Sequence, residues 1–249
     1  MFANITRGAL TLKKAVTLLK HPEIRWYALI PLLINIVLFG SLIGYLFNRL
    51  DPFVESLVSW LPDFLDFVRV FLWMIITTSV VIVTFLLFTP VANVIGAPFN
   101  AIMSEKIETL MTGQPPASNA GLGKIIIDSV VSQLGKLAYI IPWTIGLFLV
   151  SLIPPLNLIS PILWVVFGAW LLSLEYLDYP MGNHDIVFRK QRELVSQKRS
   201  LSLGFGGAVI ILTSIPVVNF FVMPLAVAGS TVLWVEHFRE EYLSRELAE

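Results

Sequence analysis

The residues just before the first long apolar segment have the composition of an anion site. In KHPEIRWYALIP, Pro22 is well placed as the first residue of a helix, which would leave the backbone amides of Glu23, Ile24 and Arg25 without helical acceptors. These amides would lie at the positive end of the helix dipole, and the Arg25 guanidinium would add a forked donor. The alternative is that Arg25 is an ordinary topology signal before a first membrane span, and these residues alone favour that alternative.

Three asparagines recur at similar interruptions of long apolar stretches. Asn93, Asn157 and Asn219 each follow a proline in the pattern Pro-x-x-Asn, and a second proline comes shortly after each of them. Proline removes a backbone donor, so the pattern predicts a repeated helix break. Unpaired backbone cannot face lipid, and each asparagine is therefore interpreted as a structural clip that pairs the freed groups. The alternative is that the asparagines line a transport pathway, as broken helices do in transporters.

Two acidic residues could take part in proton coupling. The segment NAIMSEKIETLMTG predicts a short helix with Asn100 as its N-cap and Gly113 just past its end. Glu105 and Glu108, at i and i+3, would share one face of that helix. We interpret them as solvated surface carboxylates, balanced by Lys106 and by an arginine from another cytoplasmic segment.

The segment DYPMGNH, which contains Asp178 and His184, is the remaining polar motif. It predicts a turn fixed by side-chain hydrogen bonds, and the alternative is the lining of a cytoplasmic exit. The three histidines have no metal-ligand spacing, and the chain has no cysteine. We therefore expect no metal, no cofactor and no enzymatic activity. Pathway candidates are Asn93, Asn100, Glu105, Glu108, Asn157, Asn219, Asp178 and His184.

Composition predicts an all-α integral membrane protein, because 56% of the 249 residues are hydrophobic and only 14% are charged. The charge-free interval from Arg25 to Arg49 fits one crossing. Three further intervals are too long for one crossing and short for two, namely Arg69 to Glu105, Lys136 to Glu175 and Arg199 to Glu236. The last two are expected to fold as proline-broken helical hairpins. Full spans and partly inserted hairpins both fit their lengths.

Basic residues predict the orientation of the chain. They are concentrated before the first apolar block and after the third, so these segments and both termini are expected in the cytoplasm. We expect a single membrane domain, 1–249, of a multi-pass inner-membrane protein. Its predicted parts are a cytoplasmic amphipathic helix (1–25), a span (26–48), an outer amphipathic loop (49–69), a span (70–99), cytoplasmic helices (100–136), a hairpin (137–174), a basic cytoplasmic loop (175–204), a hairpin (205–235) and a tail (236–249).

Segments along nearly the whole chain resemble the CysZ sulfate permeases of bacterial inner membranes. The resemblance rests on HPEIRWYALIPLLIN, LDPFVESLVSWLPDFL, ANVIGAPFNAIMSEKIE, LEYLDYPMGNH and IPVVNFFVMPLAVAGSTVLWVE, of which DYPMGNH and APFN are the most specific. It implies uptake of sulfate as a sulfur source for cysteine synthesis. It also implies two long membrane helices, two partly inserted hairpins and assembly as homo-oligomers in the lipid bilayer, with no nucleic-acid partner.

The resemblance also makes Arg25 a candidate sulfate ligand together with the amides of Glu23 and Ile24, since that family binds sulfate at this loop through backbone amides and arginine. The usual family pattern there is Gly-[Ile/Leu]-Arg-Arg, and in this chain Glu23 replaces the glycine and Trp26 the second arginine. The apolar intervals carry no charge, which favours a channel-like route over an enzyme. A proton-coupled route and a non-transporting membrane organiser are the alternatives.

Overall fold

The computed structural model describes residues 2–59, 62, 65–116 and 122–246. Within those ranges the chain forms helices and no strand. The predicted all-α fold class is therefore confirmed. In chain order the helices are α1 (Phe2–Leu19), α2 (Arg25–Val58), α3 (Asp66–Thr112), α4 (Leu122–Leu152), α5 (Pro154–Asn157), α6 (Ser160–Gly182), α7 (Phe188–Gln197), α8 (Arg199–Thr213), α9 (Pro216–His237) and α10 (Arg239–Glu246).

Five helical stretches are long and apolar enough to cross a membrane. They are Arg25–Val58, Asp66–Phe88, Val130–Leu152, Ser160–Gly182 and Pro216–His237. Large apolar side chains on them are widely exposed, for example Val37 and Phe67. Such contiguous apolar surface suits contact with lipid rather than with water. The chain is therefore a multi-pass membrane protein.

The first two long helices extend past the predicted spans. α2 has 34 residues and α3 has 47, so at 1.5 Å per residue α3 measures about 70 Å and must project beyond a bilayer core of about 30 Å. The predicted outer loop is helical up to Val58 and again from Asp66. Its residues 60, 61, 63 and 64 lie outside the described part of the chain.

The helix break predicted at Pro90 is wrong, because α3 continues without interruption to Thr112. Pro90 and Pro98 each remove one backbone donor from α3, whereas ending the helix within lipid would leave several backbone groups unpaired. The other two breaks are confirmed. The tandem Pro154-Pro155 starts the short α5 between α4 and α6, and Pro216 starts α9 directly after the turn that ends α8.

The continuity of α3 also changes the role of Asn100. It lies inside the helix and is therefore not an N-cap, so that prediction is wrong. The predicted end of the helix is confirmed, because Gly113 follows Thr112 with a φ of 75°, a left-handed conformation that glycine adopts at little cost.

The described chain forms two compact units, Leu29–Phe99 and Met1–Ala28 with Asn100–Glu249. In the unit Leu29–Phe99, α2 and α3 run antiparallel. The rings of Phe39 and Phe88 lie 4.7 Å apart, and the indole of Trp73 donates to Asp51 at 3.3 Å. That the whole chain forms one membrane domain stays a prediction.

In the other unit, glycines let helix backbones touch. A Cβ at Gly8 of α1 would lie 2.0 Å from the carbonyl oxygen of Leu201, and one at Gly206 of α8 would lie 1.8 Å from that of Ala169. α8 therefore packs directly on both α1 and α6. This close packing, together with α9, forms the buried core around Phe205, Leu233 and Trp234.

Candidate functional site

The loop before α2 differs from its predicted form. α2 begins at Arg25 rather than at Pro22, and the amides of Ile24 and Arg25 both donate to the carbonyl of His21 at 3.0 Å. The prediction that all three amides are free is therefore wrong for these two, because a tight turn after α1 supplies their acceptor. The Glu23 amide donates to no backbone carbonyl within the described residues.

Ile24 and Arg25 of this loop have different roles. Ile24 is 1% exposed and packs in a cluster with Ala15, Met103 and Ile107, so it anchors the loop to α1 and α3. Arg25 is exposed, and its guanidinium carbon lies 5.4 Å from the ring centre of Trp26. A cation over an aromatic face is held in orientation without being neutralised. No carboxylate pairs with Arg25 in the described part of the chain.

Glu108 lies in a buried ionic cluster, so its interpretation as a solvated carboxylate is wrong. Its side chain is 0% exposed. One carboxylate oxygen, Oε1, lies 2.7 Å from Nε2 of His184 and accepts a hydrogen bond from Nε of Arg239 at 2.8 Å. The partner arginine that was expected is thus found in α10, whereas Lys106 is exposed. The structure brings together Glu108 and His184, both candidates from the sequence.

The Glu108 cluster is enclosed and incompletely satisfied. The second carboxylate oxygen, Oε2, is buried and has no hydrogen-bond partner among the described residues, and the same holds for Nε1 of Trp234. The His184 ring lies 5.3 Å from the Trp234 ring, centre to centre. A buried charge without full compensation is costly, so the contacts from His184 and Arg239 are needed to stabilise the Glu108 carboxylate.

The predicted turn is found only at the end of the DYPMGNH segment: residues 178–182 complete α6, with Pro180 inside the helix, and the turn comprises Asn183, His184 and Asp185. The Asn183 side-chain amide donates to the carbonyl of Ala101 at 3.1 Å, and Asp185 has a φ of 57°. These contacts hold the end of α6 against α3, and they place His184 opposite Glu108. Asn100, also in α3, is buried, and its side-chain amide lies beside the Tyr179 hydroxyl.

Asp178 belongs to a second ionic group. Lys136 of α4 lies 3.0 Å from Asp178 and 2.9 Å from Glu175, both on α6, and the Gln191 amide donates to Asp178 at 2.7 Å. All three charges lie on helical stretches long and apolar enough to span a membrane, at or just outside the ends of the charge-free interval from Lys136 to Glu175. The helices run past the charge-free intervals, and pairing makes these charges tolerable there.

The remaining pathway candidates do not converge. Asn157 ends α5, is exposed and accepts from the Ser160 hydroxyl at 3.3 Å, while Asn219 is exposed in the first turn of α9. Glu105 is half-buried and has no ion pair among the described residues. Asn93 lies in α3, but its side chain is outside the described structure. The sequence did not single out Arg239 as the partner of Glu108, since an arginine in a charged tail carries no distinctive pattern.

The fold and the paired charges near helix ends define a multi-pass all-α membrane protein. A sequence model of the family described as "Sulfate transporter CysZ/Etoposide-induced protein 2.4" matches residues 11–224, and the chain belongs to this family. The resemblance seen in the sequence is thereby confirmed.

Similar proteins match this chain along nearly their whole length. A protein named "Sulfate transporter CysZ" from Vibrio parahaemolyticus is 38% identical over 230 residues, which cover 91% of this chain and 93% of that protein. One of the same name from Pseudomonas fluorescens is 37% identical over 246 residues and covers 98% of both chains. A third, from Vibrio atlanticus, is 39% identical over 230 residues, 91% of each chain.

Proposed function

We propose that this chain is a transporter, not an enzyme, that carries sulfate across the bacterial inner membrane and so supplies sulfur for cysteine synthesis. The observation that carries the proposal is the similarity, over almost the entire chain, to proteins named as sulfate transporters. The matched residues cover 91% and 98% of this chain, so most of the helices described here have a counterpart stretch in those proteins. The apolar helices fit a protein that works within the bilayer.

Sulfate is proposed to bind first at the start of α2. Arg25 offers an exposed guanidinium that pairs with no carboxylate of the described residues, and Ile24 fixes the loop to the core. A guanidinium matches the geometry of an oxyanion, and the positive end of α2 adds to the attraction. Because the amides of Ile24 and Arg25 are already paired, the Arg25 side chain and the Glu23 amide are the principal donors.

The route across the membrane is proposed to be either channel-like or proton-coupled. Sulfate is a dianion, and its entry against an inside-negative potential costs about 2.3 kcal/mol per charge per 100 mV, or about 4.6 kcal/mol for the ion. Uptake therefore needs rapid consumption inside the cell or coupling to protons. The buried pair of Glu108 and His184 supports the coupled route, since both groups can take up a proton.

The other pathway residues and the oligomeric state are also part of the proposal. Asn93, Asn100, Glu105, Asn157, Asn219 and Asp178 are proposed to line or support the pathway, and the protein is proposed to act as a homo-oligomer. Of these, Asn100 is buried in α3, where its side-chain amide lies beside the Tyr179 hydroxyl.

The test is flux of radiolabelled sulfate into proteoliposomes, with and without an imposed proton gradient. Wild type is compared with Arg25→Ala and with Arg189→Ala, a matched control that removes an exposed arginine from α7. Saturable flux that falls only in Arg25→Ala supports the proposal, and its response to the gradient separates the two routes. Absence of flux from folded wild-type protein would favour a non-transporting membrane organiser.

A further inference from the structure

A cavity lined by basic side chains lies where α1, the start of α8 and the end of α9 meet. Its volume is about 360 Å³, and Arg7, Lys198, Arg199 and His237 line it together with polar residues that include Asn4 and Ser200. No acidic residue lines it within the described part of the chain. None of its lining residues belongs to the Arg25 loop or to the Glu108 cluster.

Helix packing brings these cationic groups together. α1 crosses α8 so closely that a Cβ at Gly8 would lie 2.0 Å from the Leu201 carbonyl oxygen, and this contact sets Arg7 beside the start of α8. Lys198 is already engaged, because its ammonium contacts the His237 carbonyl and lies 2.9 Å from the Glu241 carboxylate. It ties the α7–α8 junction to α9 and α10, and so forms a wall of the cavity.

The two arginines supply the unbalanced charge. Arg7 and Arg199 are both exposed, and neither guanidinium pairs with a carboxylate among the described residues. Arg199 donates through Nε to the Ser196 carbonyl at 3.2 Å, which holds its side chain and leaves the terminal nitrogens of the guanidinium available. Two guanidiniums at one cavity with no internal counter-ion favour an external anion.

The start of α8 adds donors to the same cavity. The residue that precedes the helix is Lys198, which gives no side-chain cap, and the first turn contains no acidic residue. The amides of Leu201 and Ser202 donate to the Lys198 carbonyl, whereas those of Arg199 and Ser200 find no backbone acceptor in the described structure. The positive end of α8 is therefore not compensated by an acidic residue in its first turn or by a side-chain cap from the described residues.

We propose that this cavity binds a tetrahedral oxyanion, either the phosphodiester of an anionic phospholipid headgroup or a free inorganic anion. Guanidinium forks and helix amides are the donors that such oxyanions prefer. α8 is apolar beyond its first residues, which suits a position where headgroups meet hydrocarbon. The proposal concerns binding alone and stands whether or not the chain carries sulfate.

The test uses the purified full-length protein in detergent. Native mass spectrometry measures the retention of phosphatidylglycerol and of phosphatidylcholine, and inorganic phosphate is titrated while the melting temperature is followed. We expect wild type to favour phosphatidylglycerol or to be stabilised by phosphate. The variant Arg7→Gln/Arg199→Gln should weaken that binding about tenfold or more, since two charge-assisted contacts are lost. Arg189→Gln/Lys190→Gln removes two exposed charges from α7 and should bind like wild type.

A second variant separates loss of binding from misfolding. Ser200→Asp places a carboxylate in the first turn of α8, where it complements the helix dipole and occupies the cavity. We expect its melting temperature to equal or exceed that of wild type while oxyanion binding falls about tenfold or more. Preference for phosphatidylglycerol without a phosphate effect would assign the lipid, and the reverse would assign the free anion. Equal binding of both probes by wild type and Arg7→Gln/Arg199→Gln would overturn the proposal.

Discussion

Nε2 of His184 lies 2.7 Å from Oε1 of Glu108, and both side chains are almost wholly enclosed, with 4% and 0% of their surface exposed. The contact joins the turn after α6 to the last turns of α3. Arg239 binds the same oxygen from the start of α10. Three separate parts of the chain therefore depend on one carboxylate.

Loss of that carboxylate should destabilise the protein. Glu108→Gln keeps an acceptor oxygen but removes the negative charge that Arg239 and His184 share, and breaking a buried ion pair in this way costs about 3–5 kcal/mol. For a chain of this size such a loss lowers the melting temperature by roughly 6–20 °C. Thermal unfolding in detergent measures the change. Glu105→Gln is the control, because Glu105 is half-buried and has no ion pair in the described structure, and its melting temperature should stay near that of wild type.

A double-mutant cycle tests whether the charge pair itself is responsible. Arg239→Gln should also destabilise, because it leaves the buried carboxylate of Glu108 with His184 alone. Glu108→Gln/Arg239→Gln removes both charges together and should lose less stability than the two single variants added. Strict additivity of the three melting-temperature changes would mean that Glu108 and Arg239 do not interact.

The sequence predicted local features of this region better than it predicted burial. The break at Pro216, the glycine cap at Gly113 and the turn at His184 each follow from chemistry within a few residues, and all three are found. Glu105 and Glu108 look alike on a helix pattern. Glu108 differs from Glu105 because it contacts Arg239, which lies 131 positions further along the chain. No local sequence pattern contains that contact.

Helix breaks, too, cannot be predicted from the local pattern alone, as the uninterrupted α3 shows. The prolines near Asn93, Asn157 and Asn219 have similar spacing, yet only the latter two accompany a break in the helix. A break requires that the freed backbone groups find partners, and those partners come from packing rather than from the motif. Likewise, the ion pairs of Lys136 with Glu175 and Asp178 were not predicted. Charge-free intervals mark where spans can lie, but not where the helices end.

Close packing of α8 on α6 predicts a steric defect at Gly206. In Gly206→Ala the new Cβ would lie 1.8 Å from the Ala169 carbonyl oxygen, and a backbone atom cannot move aside without separating the helices. We expect a destabilisation of about 2 kcal/mol or more, by analogy with other overpacked cores. Gly207→Ala is the matched control. Its Cβ would meet no atom within 4 Å, so the higher helix propensity of alanine should leave stability unchanged or raise it.

The ion pair between Lys198, at the junction of α7 and α8, and Glu241 of α10 predicts a modest dependence of stability on pH. The hydrogen bond from Lys198 lowers the pKa of the Glu241 carboxyl from its ordinary value of 4.5. A lowered folded-state pKa means that the pair stabilises the folded chain fully above the ordinary value, and that this contribution is lost as the pH falls through the lowered one. The two side chains are 34% and 39% exposed, so water and ions screen the pair, and the effect should be small and should shrink in high salt.

The comparison of wild type with Glu241→Gln measures this dependence. Their melting temperatures should differ most at neutral pH and low salt, and the difference should disappear in the acidic range below the lowered pKa. The same difference at every pH would show that Glu241 contributes through packing or neutral hydrogen bonding and not through its charge.

The form of the Arg25 side chain should matter as well as its charge. Arg25→Lys keeps a cation but loses the planar fork and the stacking over Trp26 at 5.4 Å, so we expect sulfate binding to weaken several-fold. Arg25→Ala removes the charge too and should weaken binding about tenfold or more. Isothermal titration of the detergent-solubilised protein with sulfate measures both, with Arg189→Ala as control. If Arg25→Ala bound sulfate as wild type does, the role of Arg25 would be limited to fixing the topology of α2, and the first contact of the anion would have to lie elsewhere.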